Sequence, residues 1–326
     1  MLIVTNYDKL PPRWTATGAD GAPVSGTSVQ AQSVAAFRTH GQRKDAVFLV
    51  NCDPDLLIRL VLARPFGGLD RPLVASDLVL RRPRGLKGRL LHAVKRPLLA
   101  RADLYLNFFS DTRGLEDAYG IDPARCRYVP FKVNLSPADA DGPVAEDYVL
   151  CFGRSLRDFD TFFTAMERLP FPGAIARVDP AELARHGARF TRPLSSLPLN
   201  IAQLPDDGSA AAQREMLRRA KLVVIPVLKD SIVASGISTA LNAMFLGKCV
   251  IGSQGPGMSD IFTDEVLTVP PEDPDALAAR ITAAWTDNGL RARTAAAGAR
   301  FARTAGFEAD LVQRILDAVA RSYGRA

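Results

Sequence analysis

Residues 223–262 read VVIPVLKDSIVASGISTALNAMFLGKCVIGSQGPGMSDIF, and this stretch decides the fold. A β-branched strand pattern over 222–227 runs into a polar loop that carries Lys229, Asp230, Ser231 and Ser235. Gly236 then opens a helix near Ile237, Ser238 and Thr239, and a second strand follows at 249–252. Strand, loop, helix and strand in this order make a parallel βαβ unit. The first turn of a helix leaves backbone N–H groups unpaired and carries partial positive charge. A glycine ahead of that turn lets a phosphate approach closely, and the Ser and Thr hydroxyls add donors. Ser235, Gly236, Ile237, Ser238 and Thr239 are therefore candidates to cradle a diphosphate, with Lys229 supplying a full charge beside them. Taken alone, the same pattern also describes a helix that Ser235 or Ser238 merely caps.

The rhythm continues in both directions. Upstream, strands are expected at 2–5, 46–51, 72–76, 104–107 and 127–129, with helices at 29–39, 55–63, 81–101 and 112–119. Residues 136–147, rich in proline and acids, read as a linker between domains. A second alternation starts with a strand at 148–151 and a helix at 159–168, and two helices at 290–303 and 307–323 end the chain. The expected architecture is α/β, with two doubly wound Rossmann-like domains, 1–135 and 148–305, and a cleft between them. A terminal helix within 306–326 is expected to pack back on the first domain. In such sheets ligands bind at the carboxyl ends of the strands.

Composition narrows the function classes. Apolar residues make up 47% of the 326 and charged residues 23%, enough for buried cores and contrary to wholesale disorder. The longest apolar runs are strand-sized, far short of the ~20 residues that span a bilayer. The chain begins with a strand pattern and no basic leader, so a cytoplasmic protein is expected. Cysteines 52, 126, 151 and 249 are scattered, and the three histidines lie far apart, which speaks against disulfide frameworks and zinc. The net charge of +6 is concentrated: between Arg81 and Arg101 lie Arg82, Arg84, Lys87, Arg89, Lys95 and Arg96, with no acid. Leu86, Leu90, Leu91, Val94 and Leu98 recur there at helical spacing. This basic amphipathic helix suits an anionic membrane surface or a phosphate-bearing partner; equally, its apolar stripe suits the protein's own sheet. No reader motif for nucleic acid is present.

Asn242-Ala243-Met244 followed by Gly247-Lys248-Cys249-Val250-Ile251, and then Gly257-Met258-Ser259-Asp260-Ile261-Phe262, resemble the carboxyl-terminal domain of GT-B glycosyltransferases. These enzymes use sugar nucleotides, and the likeness is to the glycosyltransferase-family-4 kind. The likeness extends to VLTVPPEDPDALAARI (266–281), CFGRSLRDFDTFFTAM (151–166) and YGIDPARCRYVPFKVN (119–134). It implies a metal-independent transferase with no cofactor, whose donor substrate is a UDP- or GDP-linked sugar. It further implies that Arg154 and Arg157, after Gly153, form a phosphate-facing basic pair. Many retaining members of the family have two glutamates eight positions apart around the helix start; Ala234 and Asn242 stand there. Asn242 retains hydrogen bonding toward a ribose hydroxyl without charge, and Ala234 retains nothing.

Expelling a nucleoside diphosphate requires cationic stabilisation, for which Arg154 and Lys229 are the catalytic candidates. An inverting transfer also requires a base at a strand end of the first domain. Asp53, Asp77 and Asp111 qualify, each equally readable as a helix cap or turn residue, and His40 ranks behind them. Asp77 is favoured because the family often keeps a functional histidine near that strand end. The reading is a glycosyltransferase acting on a lipid-linked or polysaccharide acceptor in envelope glycan assembly, peripheral at the inner membrane face. The alternative is a GT-B-like subunit that binds without catalysing. A nicotinamide-dependent oxidoreductase is set aside, because no GxGxxG turn follows a strand.

Overall fold

The computed structural model describes residues 1–140 and 146–324. Part of the expected linker, 141–145, lies outside the described residues. The chain divides into two compact units, Met1–Pro130 joined by the chain from Glu308 onward, and Phe131–Phe307. The second unit thus starts ahead of the expected linker. Within it, Asp139 is hydrogen-bonded to Arg214.

The first unit contains β1 (Leu2–Thr5), β2 (Arg13–Thr17), β3 (Pro23–Gln30), α1 (Val34–His40), β4 (Ala46–Asn51) and α2 (Pro54–Ala63). It continues with β5 (Leu73–Ser76), α3 (Gly85–Leu99), β6 (Leu104–Asn107), α4 (Arg113–Tyr119) and β7 (Cys126–Tyr128). Its sheet has the order β2-β3-β1-β4-β5-β6-β7, parallel throughout except for β2 against β3. Strands β1, β4, β5 and β6 are buried along their whole length apart from Asn51, as strands covered by helices on both faces must be.

The hairpin β2–β3 is absent from the sequence reading, which extends a helix back to residue 29. The strand PVSGTSVQ is polar and half-exposed because it lies near the sheet edge, so it lacks an apolar run. Trp14 closes over Gly26, where a Cβ would fall 2.2 Å from the indole. The terminal helix α11 (Glu308–Tyr323) belongs to this unit. It packs on β2, its buried residues include Leu311, Ile315, Leu316 and Val319, and Asp317 accepts the Thr17 N–H at 2.8 Å.

The second unit runs β8 (Tyr148–Cys151), α5 (Phe159–Met166), β9 (Gly173–Ala176), α6 (Pro180–Arg185), β10 (Ile201–Leu204) and α7 (Ala210–Arg219). Then come β11 (Ala220–Ile225), α8 (Ile237–Phe245), β12 (Cys249–Ser253), β13 (Val266–Val269), α9 (Pro274–Thr286) and α10 (Asn288–Ala305). The sheet is fully parallel with the order β10-β9-β8-β11-β12-β13. Two apolar clusters cover it, one including Met244, Phe245 and Ala302, the other Phe159, Phe163 and Ile281. Strand order reverses between β8 and β11, so their carboxyl ends flank the crevice that this topology leaves open.

Candidate functional site

The loops after β8 and β11 are bound to each other. Asp158 N–H donates to Pro226 O at 2.9 Å and Leu228 N–H to Leu156 O at 3.0 Å. Ser235 Oγ, buried, donates to Ser155 O at 2.6 Å. Leu156 is held left-handed at φ 52° and is buried.

At the centre sits Arg157, only 2% exposed. Its Nε donates to Phe152 O at 2.9 Å, and among the described residues no carboxylate pairs with it. The guanidinium fills space that two glycines leave empty. A Cβ on Gly153 would stand 2.4 Å from Nη2, and one on Gly236 would stand 2.7 Å from it. Both glycines have positive φ, 107° and 99°, so backbone and space both exclude a side chain. Burial pulls the Arg157 pKa down to about 10, which leaves it charged at neutral pH. A buried cation without a counter-charge is costly, and an anion would offset that cost.

Gly236 is the N-cap of the nine-residue helix α8 and supplies no side-chain cap. The first bond of the helix runs from Ala240 N–H to Gly236 O at 2.8 Å, leaving the N–H groups of Ile237, Ser238 and Thr239 ahead of the helical ladder. Gly153, Arg157, Ser235, Gly236, Ile237, Ser238 and Thr239 are thereby gathered at the β8/β11 switch point. Lys229, on the loop after β11, is exposed and has no ion pair among the described residues.

Arg154 is placed differently from Arg157. Its Nη1 bonds Glu182 Oε1 at 3.0 Å, not Asp158. Together with Asp179, Glu182 and Asp206 it lines a small pocket beside β9 and α6. Asp158 instead caps α5 through Thr161 N–H at 3.1 Å and binds Arg189 Nε at 2.9 Å. Asn242 and Ser238 are one helical turn apart and both engage Asn134. Its N–H donates to Asn242 Oδ1 at 2.8 Å, and its side-chain amide bonds Ser238 Oγ. No local signal reveals this role for Asn134, because its partners lie more than a hundred positions downstream. Ala234 meets the turn after β12, where a Cβ on Gly257 would fall 2.5 Å from the alanine methyl.

In the first unit, Asp77 follows β5 and Cys52 follows β4, the neighbouring strand. Cys52 Sγ donates to Asp77 Oδ2 at 3.1 Å. Both residues are left-handed, at φ 53° for Cys52 and 51° for Asp77. Burial raises the Asp77 carboxyl above its ordinary value, while the Cys52 hydrogen bond opposes that rise. Asp53 is the N-cap of α2, accepting Leu56 N–H at 2.8 Å. Asp111 is chelated by Arg113 at 2.8 and 2.6 Å, and His40 ends α1. Among the described residues no cluster of metal-ligating side chains occurs, and none of the four cysteines is bonded to another.

Residues 208–301 match the sequence model of the glycosyl transferases group 1 family. Among curated proteins no match is found. Among solved structures, HepE of Anabaena, determined with UDP and glucose, aligns at a TM-score of 0.64 and 14% identity, covering 90% of this chain and 86% of that one. Sucrose-phosphate synthase of Thermosynechococcus elongatus aligns at 0.66 and 16%, covering 98% and 87%. The trehalose-6-phosphate protein of E. coli, bound with UDP-2-fluoro glucose, aligns at 0.61 and 12%, covering 97% and 98%. The chain has the GT-B fold of glycosyltransferases, two α/β units, one with a fully parallel sheet and one parallel except at its β2 edge. The glycosyl transferases group 1 match falls on the second unit and includes β11, α8 and β12.

Proposed function

We propose that the protein is a glycosyltransferase that takes a sugar from a UDP- or GDP-linked donor. The carrying observation is Arg157, buried and without a carboxylate, wedged between Gly153 and Gly236 at the uncapped start of α8. A diphosphate seated there would receive the guanidinium charge, the N–H groups of Ile237, Ser238 and Thr239, and the partial charge of the helix end. The UDP and UDP-sugar complexes of the structural neighbours support the same ligand class.

In the proposed reaction the acceptor hydroxyl attacks the anomeric carbon as the bond to the diphosphate breaks, and the electron pair leaves with the nucleoside diphosphate. Arg157, α8 and Lys229 take up that charge, with no metal ion required of the protein. Arg154 serves this step only by leaving Glu182. For an inverting outcome, Asp77 accepts the hydroxyl proton, with Cys52 fixing the carboxylate. The acceptor is proposed to be a lipid-linked or polysaccharide intermediate of envelope glycan assembly, met at the cytoplasmic membrane face.

A second reading, a subunit that binds the nucleotide sugar without turnover, is favoured by one observation. The Ala234 and Asn242 positions carry no carboxylate, and Asn242 is occupied by Asn134. A thermal-shift series with UDP, GDP, ADP, CMP and dTDP tests the site. One nucleotide should raise Tm in the wild type, the shift should vanish in Arg157→Met, and Arg154→Ala should keep most of it. No shift with any nucleotide in the folded wild type would refute the donor site. A shift without product from any sugar nucleotide would favour the binding subunit.

A further inference from the structure

We propose that the free face of α3, together with the loop ahead of it, is a docking surface for an anionic lipid bilayer. This deepens the acceptor side of the proposed function, and its test does not depend on donor binding. The sequence pattern leaves open whether the apolar stripe of this helix faces the protein or the solvent, and the structure decides it. One side of α3 is packed. His92 Nε2 meets Ala118 O at 2.8 Å, Lys95 Nζ binds Asp55 Oδ1 at 2.8 Å, and Leu99 is buried. The other side carries Leu86, Leu90 and Val94, four residues apart, which are 77%, 64% and 65% exposed. Leu91, next to Leu90, is 53% exposed. Isolated exposed leucines need no explanation, but a helical row of them does.

The charges identify the occupant. Arg82, Lys87 and Arg89 are exposed and pair with no carboxylate among the described residues. Residues 81–101 contain no acid at all. A leucine row flanked by cations fits the boundary where headgroup phosphates overlie acyl chains, because that boundary offers anions and hydrocarbon within one helix diameter. A second copy of the chain fits poorly, since a two-fold contact would set this cationic face against itself. Among the described residues no helix is long and apolar enough to cross a membrane, so the contact would lie in the interface plane.

Flotation with phosphatidylglycerol or phosphatidylcholine vesicles tests the proposal on the full chain. The wild type should float with phosphatidylglycerol at low salt, detach at high salt and ignore phosphatidylcholine. Leu90→Asn/Val94→Asn keeps the charge and should lower binding at least about tenfold. Lys87→Gln/Arg89→Gln keeps the leucines and should lower it about fivefold per cation. Wild-type binding by the leucine variant would overturn the proposal, as would equal binding to both lipids. A wild-type dimer that the leucine variant dissociates would also overturn it. The wild-type Tm retained by both variants shows that the fold is intact. A missing nucleotide shift in every form would count against the donor reading and leave the flotation result standing.

Discussion

The two units turn the chain at strand ends with opposite residue choices. Each carries loops at the carboxyl ends of parallel strands, and in each the chain passes through left-handed backbone there. In the second unit, Gly153 and Gly236 take those conformations, and the absent side chains make room for Arg157. In the first unit, Cys52 and Asp77 take them, at φ 53° and 51°, and their side chains bond each other. Left-handed backbone costs a residue with a Cβ about 1–2 kcal/mol and costs glycine almost nothing. Where glycine stands, the missing side chain leaves space that the Arg157 guanidinium fills. Where cysteine and aspartate stand in spite of the cost, their side chains bond each other.

The largest effect expected from this contrast is on turnover. Asp77→Asn removes the proposed proton acceptor and should lower kcat by about 10²–10⁴-fold. The nucleotide-induced rise in Tm should be unchanged, because the proposed donor cradle belongs to the other unit. Steady-state kinetics beside a thermal-shift titration reads both quantities. Turnover at the wild-type rate would reduce the Cys52–Asp77 pair to a structural turn, and the contrast would fail.

Next in size is a stability effect that separates the two sets of strand-end loops. Gly236→Ala would place a Cβ 2.5 Å from Ile225 Cγ2 and 2.7 Å from Arg157 Nη2, at φ 99°. Strain and overpacking together should cost about 3 kcal/mol and abolish the nucleotide shift. Cys52→Gly, at a comparable backbone conformation, should leave Tm no lower than in the wild type while kcat falls. Chemical denaturation of both variants checks this. Equal destabilisation would mean that the cysteine is retained for packing.

Much of the second unit was legible in sequence because its signals are local. The strand–Gly–helix transition at Ile225 and Gly236 is written in one continuous stretch, and Arg157 lies in the loop that follows its strand. What the sequence hid was the choice between neighbours. Arg154 and Arg157 look equivalent as a string, yet only Arg157 is buried between glycines, whereas Arg154 is drawn to Glu182 across 28 positions. The engagement of Asn242 and Ser238 by Asn134 was hidden for the same reason, since it depends on a contact closed by the fold. In the first unit, the hairpin β2–β3 has no sequence signature because a half-exposed strand near a sheet edge carries no apolar run. The left-handed state of Cys52 and Asp77 has no signature in residues that usually avoid it.

The smallest effect follows from the Asp77 carboxyl itself. Burial raises its folded-state pKa above the ordinary 3.8, opposite to the usual effect of an ion-paired carboxylate. Between the unfolded and folded values the native state therefore binds more protons than the unfolded state, and stability falls as pH rises through that window. Above the window the ionised carboxylate imposes a constant cost. Asp77→Asn removes that cost, so the variant should melt higher than the wild type at neutral pH. The advantage should shrink as pH falls through the raised pKa and vanish below the unfolded value. Paired melting curves from neutral to acidic pH read the difference, and each variant serves as the other's control for every remaining titrating group. A variant that melts lower than the wild type at neutral pH would mean that the Cys52 hydrogen bond outweighs the burial. Asp77 would then be a structural anchor, and the two sets of strand-end loops would differ in their backbones but not in what they ask of their side chains.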